Sequence, residues 1–235
     1  MDVSPFIISL KTAFLATLIT FFLGIYAAHC VVKMKRFQGV MDTIFTLPMV
    51  LPPTVVGFFL LLLFGKNSFI GKILLSFDLT FVFSWEATVV SAVVVSLPLM
   101  YRTTRGSFEQ IDKNIIYAAR TLGISETKIF WHVILPNAWY GIIGGVILSF
   151  TRALGEFGAT IMVAGNIPGR TQTMSTAIYS AVQAGDNETA FQWVIVVVLI
   201  SFAVIMLMNY WTSNQLKRTR RLSKKKRGAD SGVVC

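Results

Sequence analysis

At 235 residues, with 54% apolar side chains and only 14% charged ones, the chain is too poor in charge to be an ordinary soluble domain, where about a quarter of residues are charged. Apolar runs alternate with short loops and leave no soluble stretch long enough to fold alone, so residues 1–235 are read as one transmembrane domain. A formal charge of +10 would suggest nucleic acid in a soluble protein; here its distribution speaks of topology, and no nucleic-acid partner is expected.

The first predicted span covers 6–32, with Lys11 placed to snorkel to the nearer interface. It is too long, and lacks the small-residue cleavage site, to be a removed signal peptide. Lys33, Lys35 and Arg36 follow it. The second span, 44–64, contains Leu47-Pro48 and Leu51-Pro52-Pro53, which remove backbone donors and predict a kink or break in its first turns. Freed carbonyls survive in a membrane only against protein or water, so this end is expected to face the bundle. A loop over 65–80, carrying Lys66 and Lys72, leads to a third span at 81–100. Trp85 is its interfacial aromatic, and Pro98 with Arg102 and Arg105 marks its end.

The next stretch contains a short surface helix. From Asp112, a plausible N-cap, the apolar residues Ile115, Ile116, Ala118, Ala119 and Leu122 share one helical face, and Gly123 supplies the left-handed position that ends it. About ten helical residues reach roughly 15 Å, half a bilayer, so this helix lies at the surface and its apolar face needs a partner outside the lipid. An amphipathic connector between two spans would read the same way. Ser125 is a second candidate N-cap with Glu126 behind it, and the chain re-enters apolar sequence through Leu135-Pro136.

The fourth span covers 139–164, where Gly141 and Gly145, widened by Gly144, allow close approach of another helix. Within it Ser149, Arg152, Glu156 and Thr160 recur three and four apart and are predicted to share one helix face. Either charge buried alone would cost several kcal/mol, so Arg152 and Glu156 are expected to pair. The stripe reads equally as the lining of a pathway or gate and as a structural ion pair between spans. A polar loop over 165–190 follows, with a short helix at 173–182 dipping into the bundle. The fifth span, 191–211, leads into a basic tail over 217–235 that is expected to be disordered and to rest on anionic lipid.

Lys and Arg are distributed unevenly. The segments after spans one and three and the tail carry three, five and eight, against three in the two remaining loops. The positive-inside rule then puts the N-terminus outside and the surface helix and tail in the cytoplasm of a multi-pass plasma (inner) membrane protein.

Ala118-Ala119, Gly123 and Leu135-Pro136 resemble the cytoplasmic coupling loop of ABC importer permeases, with Tyr117 where that family often has Glu, which removes the basis for a salt bridge there. The stretches LPMVLPPTVVG over 47–57, RALGEFGAT over 152–160 and NIPG over 166–169 are similar to those of molybdate ABC transporter permeases. The resemblance implies the all-α, five-span fold of a type I ABC importer permease. It also implies a homodimer, two cytoplasmic ABC ATPase subunits and an extracytoplasmic molybdate-binding protein. Tyr117, Ala118, Ala119, Arg120, Leu122, Gly123 and Pro136 would then couple to the ATPase, and Ser149, Arg152, Glu156 and Thr160 would be candidates for the translocation path.

No G-x-x-x-x-G-K-[ST] motif occurs; Gly65-Lys66 and Gly71-Lys72 are followed by Asn67 and Ile73. The chain is therefore expected to be no enzyme, with ATP and Mg on the partner ATPase and no cofactor of its own. His29 and His132 read as structural residues, and Cys30 and Cys235 as neither a metal site nor a disulfide. The expected function is a permease for molybdate import. Tungstate or sulfate import is the alternative within the class, and a gradient-driven secondary transporter or channel, with Arg152 and Glu156 relaying protons or gating ions, is the alternative outside it.

Overall fold

A computed structural model describes residues 2–34, 36–78 and 80–230, with side chains through Leu207 and at Tyr210. All regular structure among these residues is helical. In chain order the helices are α1 (Ser4–Lys33), α2 (Gln38–Val50), α3 (Pro53–Phe64), α4 (Phe69–Ser76), α5 (Trp85–Glu109) and α6 (Lys113–Thr121). Then come α7 (Glu126–Ile129), a π turn at Phe130–Ile134, α8 (Leu135–Leu154), α9 (Gly158–Val163), α10 (Met174–Gln183) and α11 (Asn187–Asp230). Four helical stretches are long and apolar enough to cross a bilayer, and α2 with α3 makes a fifth, bent candidate.

The bundle is built around α5, which contributes to all three buried clusters: Val89, Ala92 and Val93 to one, Met100, Tyr101 and Phe108 to the second, Ala87 and Val95 to the third. Its partner α1 buries Ala13, Ala16, Thr20, Gly24, Ala27 and Val31, a stripe of mostly small residues at helical spacing that brings the backbones together. A Cβ at Gly24 would stand 2.6 Å from Met100 Cγ. Where α5 begins, the Trp85 indole donates to Thr12 at 2.9 Å, Thr12 meets Thr88 at 3.1 Å, and Lys11 lies 4.0 Å over the Trp85 ring. Lys11 therefore rests on the Trp85 ring at the start of α5. Helix α8 also packs on α5 through two glycines: a Cβ on Gly141 would run into the Ser107 side chain and one on Gly145 would lie 3.0 Å from Met100 Sδ, whereas Gly144 faces open space and takes no part in this approach.

Several boundaries differ from those expected. The second span is broken: α2 and α3 meet at 110° across Leu51-Pro52, where consecutive prolines remove two donors. Helix α2 itself buries no residue, with Leu47, Met49 and Val50 exposed, but the break that follows it faces the bundle as expected: Leu51 packs against the cluster of Val56, Leu60, Ala159 and Val163. Helix α5 passes Pro98 and Arg102 and continues to Glu109, because its terminal charges find partners. Arg105 pairs with Asp42 of α2 and, at 2.8 Å, with Glu109, while the Tyr101 hydroxyl donates to Asp42 at 3.1 Å. The 65–80 loop contains α4, capped by Ser68, whose hydroxyl accepts from Gly71 N–H at 2.8 Å.

The fourth span starts well before residue 139. From Glu126 the chain is helical without interruption to Leu154, the π turn absorbing Pro136, which cannot donate to the carbonyl four residues back. The chain then opens at Gly155 and resumes as α9, so 139–164 is two helices. The short helix expected at 173–182 is α10, whose Thr173 and Thr176 form a capping box and whose Met174 N–H donates to Ser9 of α1 at 2.8 Å. The backbone of α11 is helical to Asp230; the side chains of the 217–235 tail and residues 231–235 lie outside the described residues.

Candidate coupling helix and polar junction

Helix α6 is built by its ends. The Asp112 carboxylate accepts from Asn114 N–H at 2.9 Å. At the other end Gly123, at φ +74°, directs its N–H to Arg120 O at 2.9 Å, and Ile124 N–H reaches Ala119 O at 3.2 Å. Those two bonds are a Schellman closure, which the left-handed glycine permits. Ser125 stands at the N-cap of α7, but its hydroxyl makes no capping bond. Glu126 turns back instead and accepts from Arg120 at 2.6 and 3.1 Å, a bidentate pair that ties α6 to the span after it. These hydrogen bonds hold the Arg120 guanidinium above its ordinary pKa.

The faces of α6 separate cleanly. Ala119 is buried, whereas Ile115, Ala118 and Leu122 are exposed, Leu122 at 79%. Tyr117 is exposed, with Arg120 5.9 Å over its ring. Ile115, Ala118 and Leu122 make an apolar stripe at i, i+3 and i+7 that no other part of the described residues covers. Pro136 lies apart, ten residues into the helix that starts at Glu126, roughly 15 Å along its axis. It shapes that helix and is no part of the α6 surface.

The expected polar stripe is distributed over three settings. Ser149 is buried in α8 and donates to Ser96 O of α5 at 3.3 Å, joining two spans. Arg152 is in the last turn of α8 and donates to Glu156 at 2.6 Å, the two side chains being 31% and 2% exposed. Glu156 itself stands in the break, and its other oxygen accepts from Ala159 N–H, in the first turn of α9, at 2.8 Å. Thr160 is buried in α9. The four therefore do not share one helix face, because the chain leaves the helix at Gly155. Glu156 bridges the two half-helices: it neutralises Arg152 behind it and caps the amide ahead of it.

The two interruptions meet. A Cβ on Gly158, at the start of α9, would lie 2.9 Å from Pro53 Cβ at the start of α3, and one on Gly57 would lie 2.9 Å from Ala159 Cα. Half-helices α3 and α9 thus run side by side from adjacent breaks, in backbone contact. The Asp42, Tyr101, Arg105 and Glu109 cluster also escaped the sequence reading. Its signals were Asp42, the lone carboxylate between Asp2 and Asp78, and the i, i+4 spacing of Arg105 and Glu109.

A bundle of apolar spans with interrupted helices, and a surface helix held off its end, defines an integral membrane transport subunit. The family model for the inner membrane component of binding-protein-dependent transport systems matches residues 20–221, and the chain belongs to that family. It is 44% identical over 207 residues to YvgM of Bacillus subtilis, a protein assigned to molybdenum transport, covering 87% of this chain and 91% of YvgM. It is 39% identical over 208 residues to the molybdenum transport system permease protein ModB of Escherichia coli K12, covering 87% and 90%. Among solved structures, the inward-facing MetNI methionine ABC transporter matches at TM-score 0.65 and 16% identity over 88% of this chain and 94% of the other. A bacterial ABC transporter importing alginate matches at TM-score 0.75 and 14% identity, over 90% and 79%. The fold is that of type I ABC importer permeases.

Proposed function

We propose that this chain is the permease of an ATP-driven molybdate importer, working as a homodimer with two ABC ATPase subunits and an extracytoplasmic binding protein that delivers the oxyanion. The observation that carries the mechanism is α6: a helix too short to span, closed at both ends, braced to α7 by Arg120 and Glu126, and presenting Ile115, Ala118 and Leu122 outward. Such a stripe fits a groove on another protein, and rigid bracing lets force applied there reach the Glu126–Leu154 helix. The molybdenum assignment of YvgM and ModB supports the cargo. The N-terminus lies outside and α6 in the cytoplasm; ATP and Mg stay on the ATPase, and this chain binds no cofactor.

Vesicles reconstituted with the transporter and its binding protein should take up molybdate with ATP inside, should continue after the proton gradient is collapsed, and should prefer molybdate to sulfate. Uptake driven by the gradient alone would sink the ATP-driven reading; a preference for sulfate or tungstate would change the cargo. Leu122→Glu should abolish ATPase co-purification while leaving membrane insertion intact. Leu122 is the better probe than Ala119, whose burial would confound docking with folding.

A further inference from the structure

A cleft of about 540 Å³ separates α6 from the ends of α1 and α5. Helix α6 gives it a whole face, Lys113, Ile116, Tyr117 and Arg120, at i, i+3, i+4 and i+7. Lys33 faces it from the end of α1, and Phe108 from α5. The carboxylate in its wall, Glu126, is engaged by Arg120. Lys33 and Lys113 form no ion pair among the described residues. The cleft therefore combines uncompensated positive charge with an apolar wall, at the level where α1 leaves its apolar sequence for the basic segment at 33–36. A free anion would leave the apolar wall unmatched, and an acyl chain alone would leave the lysines unmatched. A phospholipid with a negative headgroup matches both, and the volume suits a headgroup with its first methylenes.

We propose that this cleft binds the headgroup of an acidic phospholipid from the leaflet on the α6 side. Lys33 and Lys113 hold its charge from two different helices, and the acyl chains leave past Phe108 and Ile116. The lipid then fills the gap beneath α6 and links it to α1, so membrane composition sets how stiffly α6 is seated. The inference rests on the reading of α6 as coupling helix for this consequence, not for the binding itself.

The test uses the full chain in its assembled transporter, reconstituted in nanodiscs of phosphatidylcholine with a minority of phosphatidylglycerol, with retained lipid read by native mass spectrometry. The wild type should keep phosphatidylglycerol, the Lys33→Gln, Lys113→Gln double variant should keep about tenfold less or lower still, and Lys33→Arg, Lys113→Arg should keep it. Melting temperatures of all three establish that they are folded. Equal retention by the glutamine variant overturns the proposal. So does displacement by free glycerol phosphate as effective as by the lipid, which makes the cleft a soluble-anion site. Retention seen only after the ATPase subunits are stripped also overturns it, since the ATPase then fills the cleft. Retention is read without transport, so failed uptake would count against the function proposed above and leave the lipid result standing.

Discussion

Glu156 shows how one side chain can hold a discontinuous span together. Its carboxylate is buried, and both oxygens are engaged, by Arg152 at 2.6 Å and Ala159 N–H at 2.8 Å. Removing it leaves a cation and an amide without partners in a region poor in water. Glu156→Ala should therefore destabilise the protein by about 2–4 kcal/mol, toward the lower end because Arg152 keeps some access to solvent. Glu156→Gln keeps an acceptor for the amide and should lose less than half as much. Melting of the purified variants in detergent checks both; an alanine variant as stable as wild type would remove the bridging role. The i, i+4 spacing exposed the pair in the sequence. The break between the two residues was hidden, since Gly155 occurs in helices as well as at their ends and nothing local forces the chain out at that point.

At the scale of elements, contacts between helices are decided by where glycine lies toward a backbone. A Cβ on Gly57 of α3 would lie 2.9 Å from Ala159 Cα and 3.0 Å from its carbonyl oxygen, atoms that cannot rotate away, whereas one on Gly144 of α8 would have nothing within 4 Å. Gly57→Ala should force α3 and α9 apart, at about 1–3 kcal/mol and a clear fall in melting temperature, while Gly144→Ala should be neutral or slightly stabilising. Equal behaviour of the two would refute the close packing of the half-helices. Sequence spacing alone cannot rank these glycines, because a stripe of small residues does not say which neighbour it meets. The same limit applies to α2: its prolines announced a break, but its seat along α5 is set by Asp42, held by Arg105 and Tyr101, and by Phe45 against the Tyr101 ring.

For the whole molecule the decisive question is direction. Basic residues concentrate after spans one and three and in the tail, and by the positive-inside rule this is the ground for proposing that α6 lies inside the cell. In a background of Cys30→Ser and Cys235→Ser, a cysteine introduced as Arg120→Cys should react with a membrane-impermeant maleimide only after permeabilisation. One introduced as Asp186→Cys, in the loop before α11, should react in intact cells. Labelling of position 120 from outside would reverse the topology and remove the ATPase from its proposed place.

The class of protein, the approximate spans, the capped surface helix ending at Gly123, and the Arg152 and Glu156 pair were legible in the order of residues alone, because hydropathy, capping chemistry and i, i+4 spacing act over a few residues. The interruption of the fourth span at Gly155, and the meeting of its half-helix α9 with α3, emerge only when the helices are packed. The cleft beneath α6 is likewise tertiary, since it brings Lys33 and Lys113 together from segments eighty residues apart. Inside a membrane every span is apolar on all sides, so the pattern that ordinarily tells a core face from an outer face is nearly absent. What remains to orient the helices is small-residue contact and a few buried polar bonds, and these exist only once distant segments have met.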